Sequence, residues 1–163
     1  MQFNWLDYVL IGVVATVAAI QFLRSTRDFS RVLYETLFIV GAVVAASLLV
    51  RPLGNLTRLS APLLFGGGGL LLVIIGILLA ALFNAFACFG LGIFDYMFGM
   101  VLAVACGYAL GHLALRTADM AISPRNAQFA DAVRRSLVAR DLLRFRTLYE
   151  ILVFLRFVRW KGM

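Results

Sequence analysis

Few side chains in the first 115 residues could do chemistry. They are Asp28, Glu35 and Asp95, the single histidine His112, the cysteines Cys88 and Cys106, and the arginines that sit near the acids. Asp95 opens an uncharged run, and an acid inside a membrane would serve as a proton or ion relay. At a helix entrance the same carboxylate satisfies orphan amides and suits the positive end of the helix dipole. Its place at the start of the run favours the cap. Glu35 follows Arg31 by one helical turn, and Asp28 follows Arg24 in the same way, so each pair would be neighbours on a helix surface. We read both as interfacial salt bridges that let a short hairpin enter the membrane, with coupling to a gradient as the alternative for Glu35. His112 stands apart from both cysteines, which suits a hydrogen-bonding packing residue better than a metal ligand. Cys88 and Cys106 read as small apolar fillers. No Ser/His/Asp or Cys/His set assembles, so neither an enzyme, a cofactor nor a metal is expected.

The elements that must carry these groups follow from composition. Of 163 residues, 63% are hydrophobic and 14% charged, against about 25% charged in an ordinary soluble domain. A core of this size cannot hide so much apolar surface, because a domain near 150 residues leaves about a third of its surface in water. That excludes a monomeric soluble domain and a disordered chain. Crossing about 30 Å of hydrocarbon takes roughly 20 apolar residues in a helix. Four stretches qualify: Trp5 to Leu23, about Leu33 to Val50, a span within Leu59 to Phe94, and Phe94 to Leu115. Windows such as Leu70 to Phe83 are apolar on every face, which fits helices and not the alternating strands of a barrel. The fold class is therefore all-α, a polytopic membrane protein of about four transmembrane helices followed by an amphipathic tail. A cleaved signal peptide is a poor fit to the first stretch, because no Lys or Arg precedes the apolar run.

Pro62 to Gly90 is 29 residues, or about 43 Å of helix, too long for one straight span. The run Gly66-Gly67-Gly68-Gly69 predicts either a loose start to the span at Leu70 or a closely packed glycine face. A phosphate-cradling loop is excluded by the missing Lys-Ser/Thr. In the fourth span Gly99, Ala103, Gly107 and Gly111 recur every four residues and line one helix face. Such faces let membrane helices approach closely. Gly41 with Ala45, and Ala42 with Ala46, repeat the pattern more weakly. An oligomer interface and packing between spans of one chain are equally open.

The charge divides the chain into a membrane domain, 1–115, and a basic tail, 116–163. Residues 1–115 carry five Arg against four acids; residues 116–163 carry nine Arg and one Lys against four acids. Ser123-Pro124 has the form of a helix start. Phe129, Val133 and Leu137 then share a face, away from Arg134, Arg135 and Arg140. A second stretch, Leu148 to Trp160, ends in Arg156, Arg159, Trp160 and Lys161 and reads as an amphipathic helix on anionic lipid. Membrane lipid is thus the expected partner, with a second copy or another membrane protein open and nucleic acid disfavoured. Four spans put both termini on one side. The Arg bias of the loops favours the inside for them, although Arg24, Arg27 and Arg31 crowd the opposite loop.

Asn4-Trp5-Leu6-Asp7-Tyr8 opening the first span, with Arg24 at its end, resembles the start of the CvpA family, the colicin V production proteins. Gly90-Leu91-Gly92-Ile93-Phe94-Asp95, leading to Gly99 and Gly107, is similar to the family's second signature. The resemblance covers roughly residues 4–115. Tyr96 stands where the family usually has Arg, Cys106 where a second Arg often precedes the glycine, and Ser25 where Gly often follows the first Arg. The resemblance implies a bacterial inner-membrane protein of about four spans, tied by name to colicin V production or export. Some members are fused to a trypsin-like protease, but this tail has no Gly-Asp-Ser-Gly motif. Two functions follow: a non-enzymatic scaffold or assembly and export factor in toxin production, or a small transporter or channel component using Asp95, Glu35 and His112.

Overall fold

The computed structural model describes residues 3–57, 59–90, 92 and 94–144. Arg58, Leu91, Ile93 and the tail residues Arg156, Arg159, Trp160 and Lys161 lie outside the described residues, as does the whole stretch Leu148 to Trp160. Among the described residues there are six α-helices: α1 (Trp5–Ser25), α2 (Phe29–Thr57), α3 (Gly68–Phe86), α4 (Phe94–Ile122), α5 (Ala127–Arg135) and α6 (Leu137–Arg144). A π-helical segment, Leu63–Gly67, leads into α3. There is no strand among the described residues. Four helices are long and apolar enough to cross a membrane: Trp5–Ser25, Phe29–Val50 within α2, Leu63–Phe86 and Phe94–Ile122. The chain is an all-α, multi-pass membrane protein.

The four long helices run up and down, and small residues set how closely they meet. Along the α1–α4 contact, Gly99 lies against Ser25 near the end of α1, while Gly107 and Gly111 lie against Val14 in its middle. The two helices are therefore antiparallel. Helices α2 and α3 are antiparallel as well, with Gly76 against Phe38 and Gly69 against Ala46. One core, including Ile39, Val43, Phe65, Val73, Cys106 and Leu113, sits where α2, α3 and α4 meet. A second joins Leu6 and Leu10 of α1 to Tyr108 and Leu115 of α4 and to Val133, Ala139 and Leu142 of α5 and α6. Leu70, Leu71, Ile74, Leu78 and Leu82 of α3 stay exposed, as do Met97, Phe98 and Val101 of α4. Lipid tails solvate such a surface as well as another apolar helix would, so it needs no protein cover.

Several boundaries differ from the sequence reading. The third span does not loosen at Leu70: helical structure begins at Ala61 and continues through the glycine run. Two of the four glycines, Gly66 and Gly69, are close-packed, while a Cβ on Gly67 or Gly68 would meet nothing within 4 Å. A Cβ on Gly66 would lie 2.5 Å from Thr117 Cγ2, and one on Gly69 would lie 2.6 Å from Leu113 Cδ1. The fourth span passes through Arg116 to Ile122, because nothing between Leu115 and Ser123 stops a helix and the Arg116 side chain lies across the Phe65 ring. Ser123-Pro124 is not the helix start that its residue types predict. The next cap is Asn126, whose side chain accepts the Phe129 amide at 3.1 Å. Finally, the first part of the tail is seated on the bundle: α5 and α6 bury Val133 and Leu142 against α1 and α4.

Candidate functional site

Three groups of polar side chains interrupt the apolar interior, and each bridges separate elements. The first is built on Asp7, which the first turn of α1 places at the level where α5 and α6 dock. Asp7 is fully buried. Its Oδ2 accepts the Asn4 amide at 2.8 Å, the reciprocal half of a capping box. Its Oδ1 accepts the Ser136 hydroxyl at 2.6 Å and the Val138 amide at 2.9 Å. Ser136 Oγ in turn accepts the Ala139 amide at 2.8 Å. The exposed amides that begin α6 are thus satisfied partly by their own serine and partly by a carboxylate from another helix. A negative charge at a helix start is favourable in itself. Asn4 adds a tie from its Nδ2 to the Ala132 carbonyl of α5 at 3.2 Å.

The far end of α6 is held from α4. The Tyr108 hydroxyl lies 2.6 Å from the Asp141 carbonyl and 3.0 Å from its carboxylate. His112 Nδ1 lies 2.6 Å from the Leu142 carbonyl, within hydrogen-bond distance. Both carbonyls lie in the second turn of α6, and each is within hydrogen-bond distance of a side chain from α4. Leu142 itself fills the cleft beside Gly111, near Val14. His112 therefore acts as the packing and hydrogen-bonding residue that its isolation predicts. Its ring also stands edge-on to Phe65, with centroids 6.1 Å apart.

The second group lies at the opposite membrane end, where α1 turns into α2. Glu35, fully buried, takes two arginines on a single oxygen. Arg24 Nη2 approaches Oε1 at 2.7 Å and Arg31 Nε approaches it at 3.1 Å. Arg24 Nη1 also donates to Gln21 Oε1 at 3.3 Å, and Gln21 Nε2 lies 3.6 Å from the Cys106 sulfur. The Arg31–Glu35 pair is the one that the sequence spacing predicts. Arg24 is paired with Glu35 across the turn and not with Asp28. Asp28 is taken up by the start of α2, accepting the Arg31 amide at 3.2 Å, and by the third group, in which Asn84 Nδ2 donates to it at 3.1 Å. Ser30 bonds both Asp28 and Asn84, and its Oγ lies 3.6 Å from the sulfur of Cys88. This third group fastens the start of α2 to the end of α3.

The small-residue face of α4 is consumed within the chain. A Cβ on Gly107 would lie 2.7 Å from the Val14 carbonyl oxygen, and one on Gly111 would lie 3.0 Å from Val14 Cγ2. Ala103 is buried on the same face. Of the two possibilities left open by sequence, packing between spans of one chain is what these four residues do. In α2 the pair Ala42 and Ala46 is buried, whereas Gly41 meets nothing within 4 Å.

Asp95 is the second residue of α4, half-buried, with its amide donating to the Gly92 carbonyl at 3.0 Å. It is a first-turn acid of α4, while Glu35 bonds Arg24 and Arg31 and His112 lies against the Leu142 carbonyl. Among the described residues no three of His, Cys, Asp and Glu gather as a metal site. Asp7 is the residue that sequence reasoning missed. Its three-residue offset from Asn4 was available as a capping-box signal, but nothing local pointed to Ser136. No family, no curated protein and no solved structure matches this chain.

Proposed function

We propose that this chain is a non-enzymatic membrane scaffold, an assembly or export factor of the colicin V production type acting in the bacterial inner membrane. The observation that carries the reading is the use made of the buried polar groups. Asp7, Tyr108 and His112 reach across to α6, Asp28 and Asn84 join α2 to α3, and Glu35 joins α1 to α2. Polar groups spent on ties between helices hold one arrangement, which suits a part that presents surfaces to partners. The family part of the proposal is supported by the order of Asn4, Asp7, Arg24, Gly90, Gly92, Asp95, Gly99 and Gly107 along the chain.

The test separates holding from transporting. Asp95→Asn removes the charge at the mouth of α4 and leaves Asp7, Asp28, Glu35, Tyr108 and His112 in place. A scaffold carrying this change keeps its partners in a crosslinked purification from native membrane and supports toxin export at the normal level. Loss of activity at normal abundance, with the same partners retained, would favour a transporter.

A further inference from the structure

Two arginines converge on Glu35, and among the described residues no second carboxylate is bonded to either guanidinium. One buried carboxylate neutralises one guanidinium, and both guanidiniums are drawn to the same oxygen atom. With Glu35 between them, the three groups together still carry one net positive charge, which attracts a further anion. The acid is fully buried while the arginine side chains remain 42% and 45% exposed. Their inner N–H groups are therefore fixed and their outer ones face the surroundings. Arg24 is fixed twice, by Glu35 and by Gln21. Arg31 uses Nε on Glu35, so that bond engages neither of its two terminal nitrogens. Planar guanidiniums held in this way match the oxygens of a phosphate.

Position narrows the ligand. Arg24 lies in the last turn of α1 and Arg31 near the start of α2, at the ends of two spanning helices, where headgroups sit. Ile20, one helical turn before Arg24, and Leu23 beside it are apolar and exposed, at 54% and 65%. A ligand with a phosphate and an attached acyl chain fits both surfaces, and a free ion fits only one. We propose that Arg24 and Arg31, positioned by the buried Glu35, bind the phosphate of an anionic phospholipid at the end of the bundle where α1 turns into α2. The proposal goes beyond the scaffold reading and requires only that the chain spans a membrane.

The test uses the full chain in nanodiscs of phosphatidylglycerol or of phosphatidylcholine, modified with phenylglyoxal and read by peptide mass spectrometry. Arg24 and Arg31 should each be modified about fivefold more slowly in phosphatidylglycerol, the protection expected from one favourable arginine contact with anionic lipid. Arg27 and Arg140, which lack a buried acid to hold them, should change less. Equal rates in the two lipids would overturn the proposal, and so would equal protection of all four arginines, which a surface field alone would produce. Protection in phosphatidylcholine on adding inorganic phosphate alone would assign the site to a free ion and overturn the lipid assignment. Glu35→Gln should abolish the protection of Arg31 while leaving the chain in the membrane. If that variant does not accumulate, the unaltered chain already decides the matter.

Discussion

The carboxylate of Asp7 accepts the amide of Val138 at 2.9 Å across 131 positions of sequence. A side chain in the first turn of the first span thus caps the last helix described. Removing it leaves three donors, the Asn4 amide, the Ser136 hydroxyl and the Val138 amide, without this acceptor. Bonds to a charged acceptor are worth about 1.5–3 kcal/mol each. We expect Asp7→Ala to free α5 and α6 from the bundle, so that trypsin cleaves at Arg134 and Arg140 about tenfold faster, or more, in detergent. Asp7→Asn keeps an acceptor oxygen and should show a smaller increase. Unchanged cleavage in Asp7→Ala would remove the tie from the account.

Steric severity along α4 should follow what each added Cβ meets. At Gly107 it meets a backbone oxygen at 2.7 Å, which cannot turn aside; at Gly111 it meets a Val14 methyl at 3.0 Å, which can. Gly107→Ala should therefore lower the midpoint of thermal unfolding more than Gly111→Ala, and Gly107→Leu should prevent accumulation. Gly41→Ala is the contrast, since nothing lies within 4 Å of the added carbon. In a helix interior that change is worth about 0.5–1 kcal/mol in the stabilising direction. A reversed order between positions 107 and 111 would sink the packing argument.

The far end of α6 can be weakened one group at a time. Tyr108→Phe deletes the hydroxyl 2.6 Å from the Asp141 carbonyl and should cost about 1 kcal/mol. Leu142→Ala empties the cleft beside Gly111 and should cost about 2–5 kcal/mol. Hydrogen exchange of the α6 amides is the measurement. Equal protection in the two variants would mean that Leu142 does not anchor the helix.

The two cysteines should separate cleanly. Cys88 is exposed at the α3–α4 connection and Cys106 is fully buried between helices. A maleimide that cannot cross membranes should label Cys88 from one side only, and should leave Cys106 unlabelled until the chain is unfolded. Rapid labelling of Cys106 in the folded chain would contradict its place in the core.

The four spans were legible because a membrane demands length and apolarity, which are properties of consecutive residues. Arg31 and Glu35 were legible for a related reason: four residues along a helix fixes who the neighbour is. Arg24 escaped this logic, since a partner across a turn competes with one along the helix, and Asp28 was already engaged by the start of α2. The glycine face of α4 was visible, but its occupant was not, because spacing says how near a helix can come and not which helix comes. Asp7 with Ser136, and His112 with Leu142, were invisible for the same reason. The amphipathic pattern around Phe129 and Val133 announced a buried face, and only packing could tell lipid from α1 and α4 as its cover.

The bond between Asp7 and Ser136 also fixes an order of events during synthesis. The two residues are 129 positions apart, so at about 5–20 residues per second the acid is synthesised roughly 6–26 s before its partner exists. Gln21 waits in the same way for Cys106, 85 positions later. The first span is thus made early with Oδ1 of its acid still lacking the Ser136 and Val138 donors, and it is completed only when the last helices arrive. The interval is a period in which an insertase or chaperone has an exposed polar handle to grip, and in which a stalled ribosome would leave α1 open to membrane proteases.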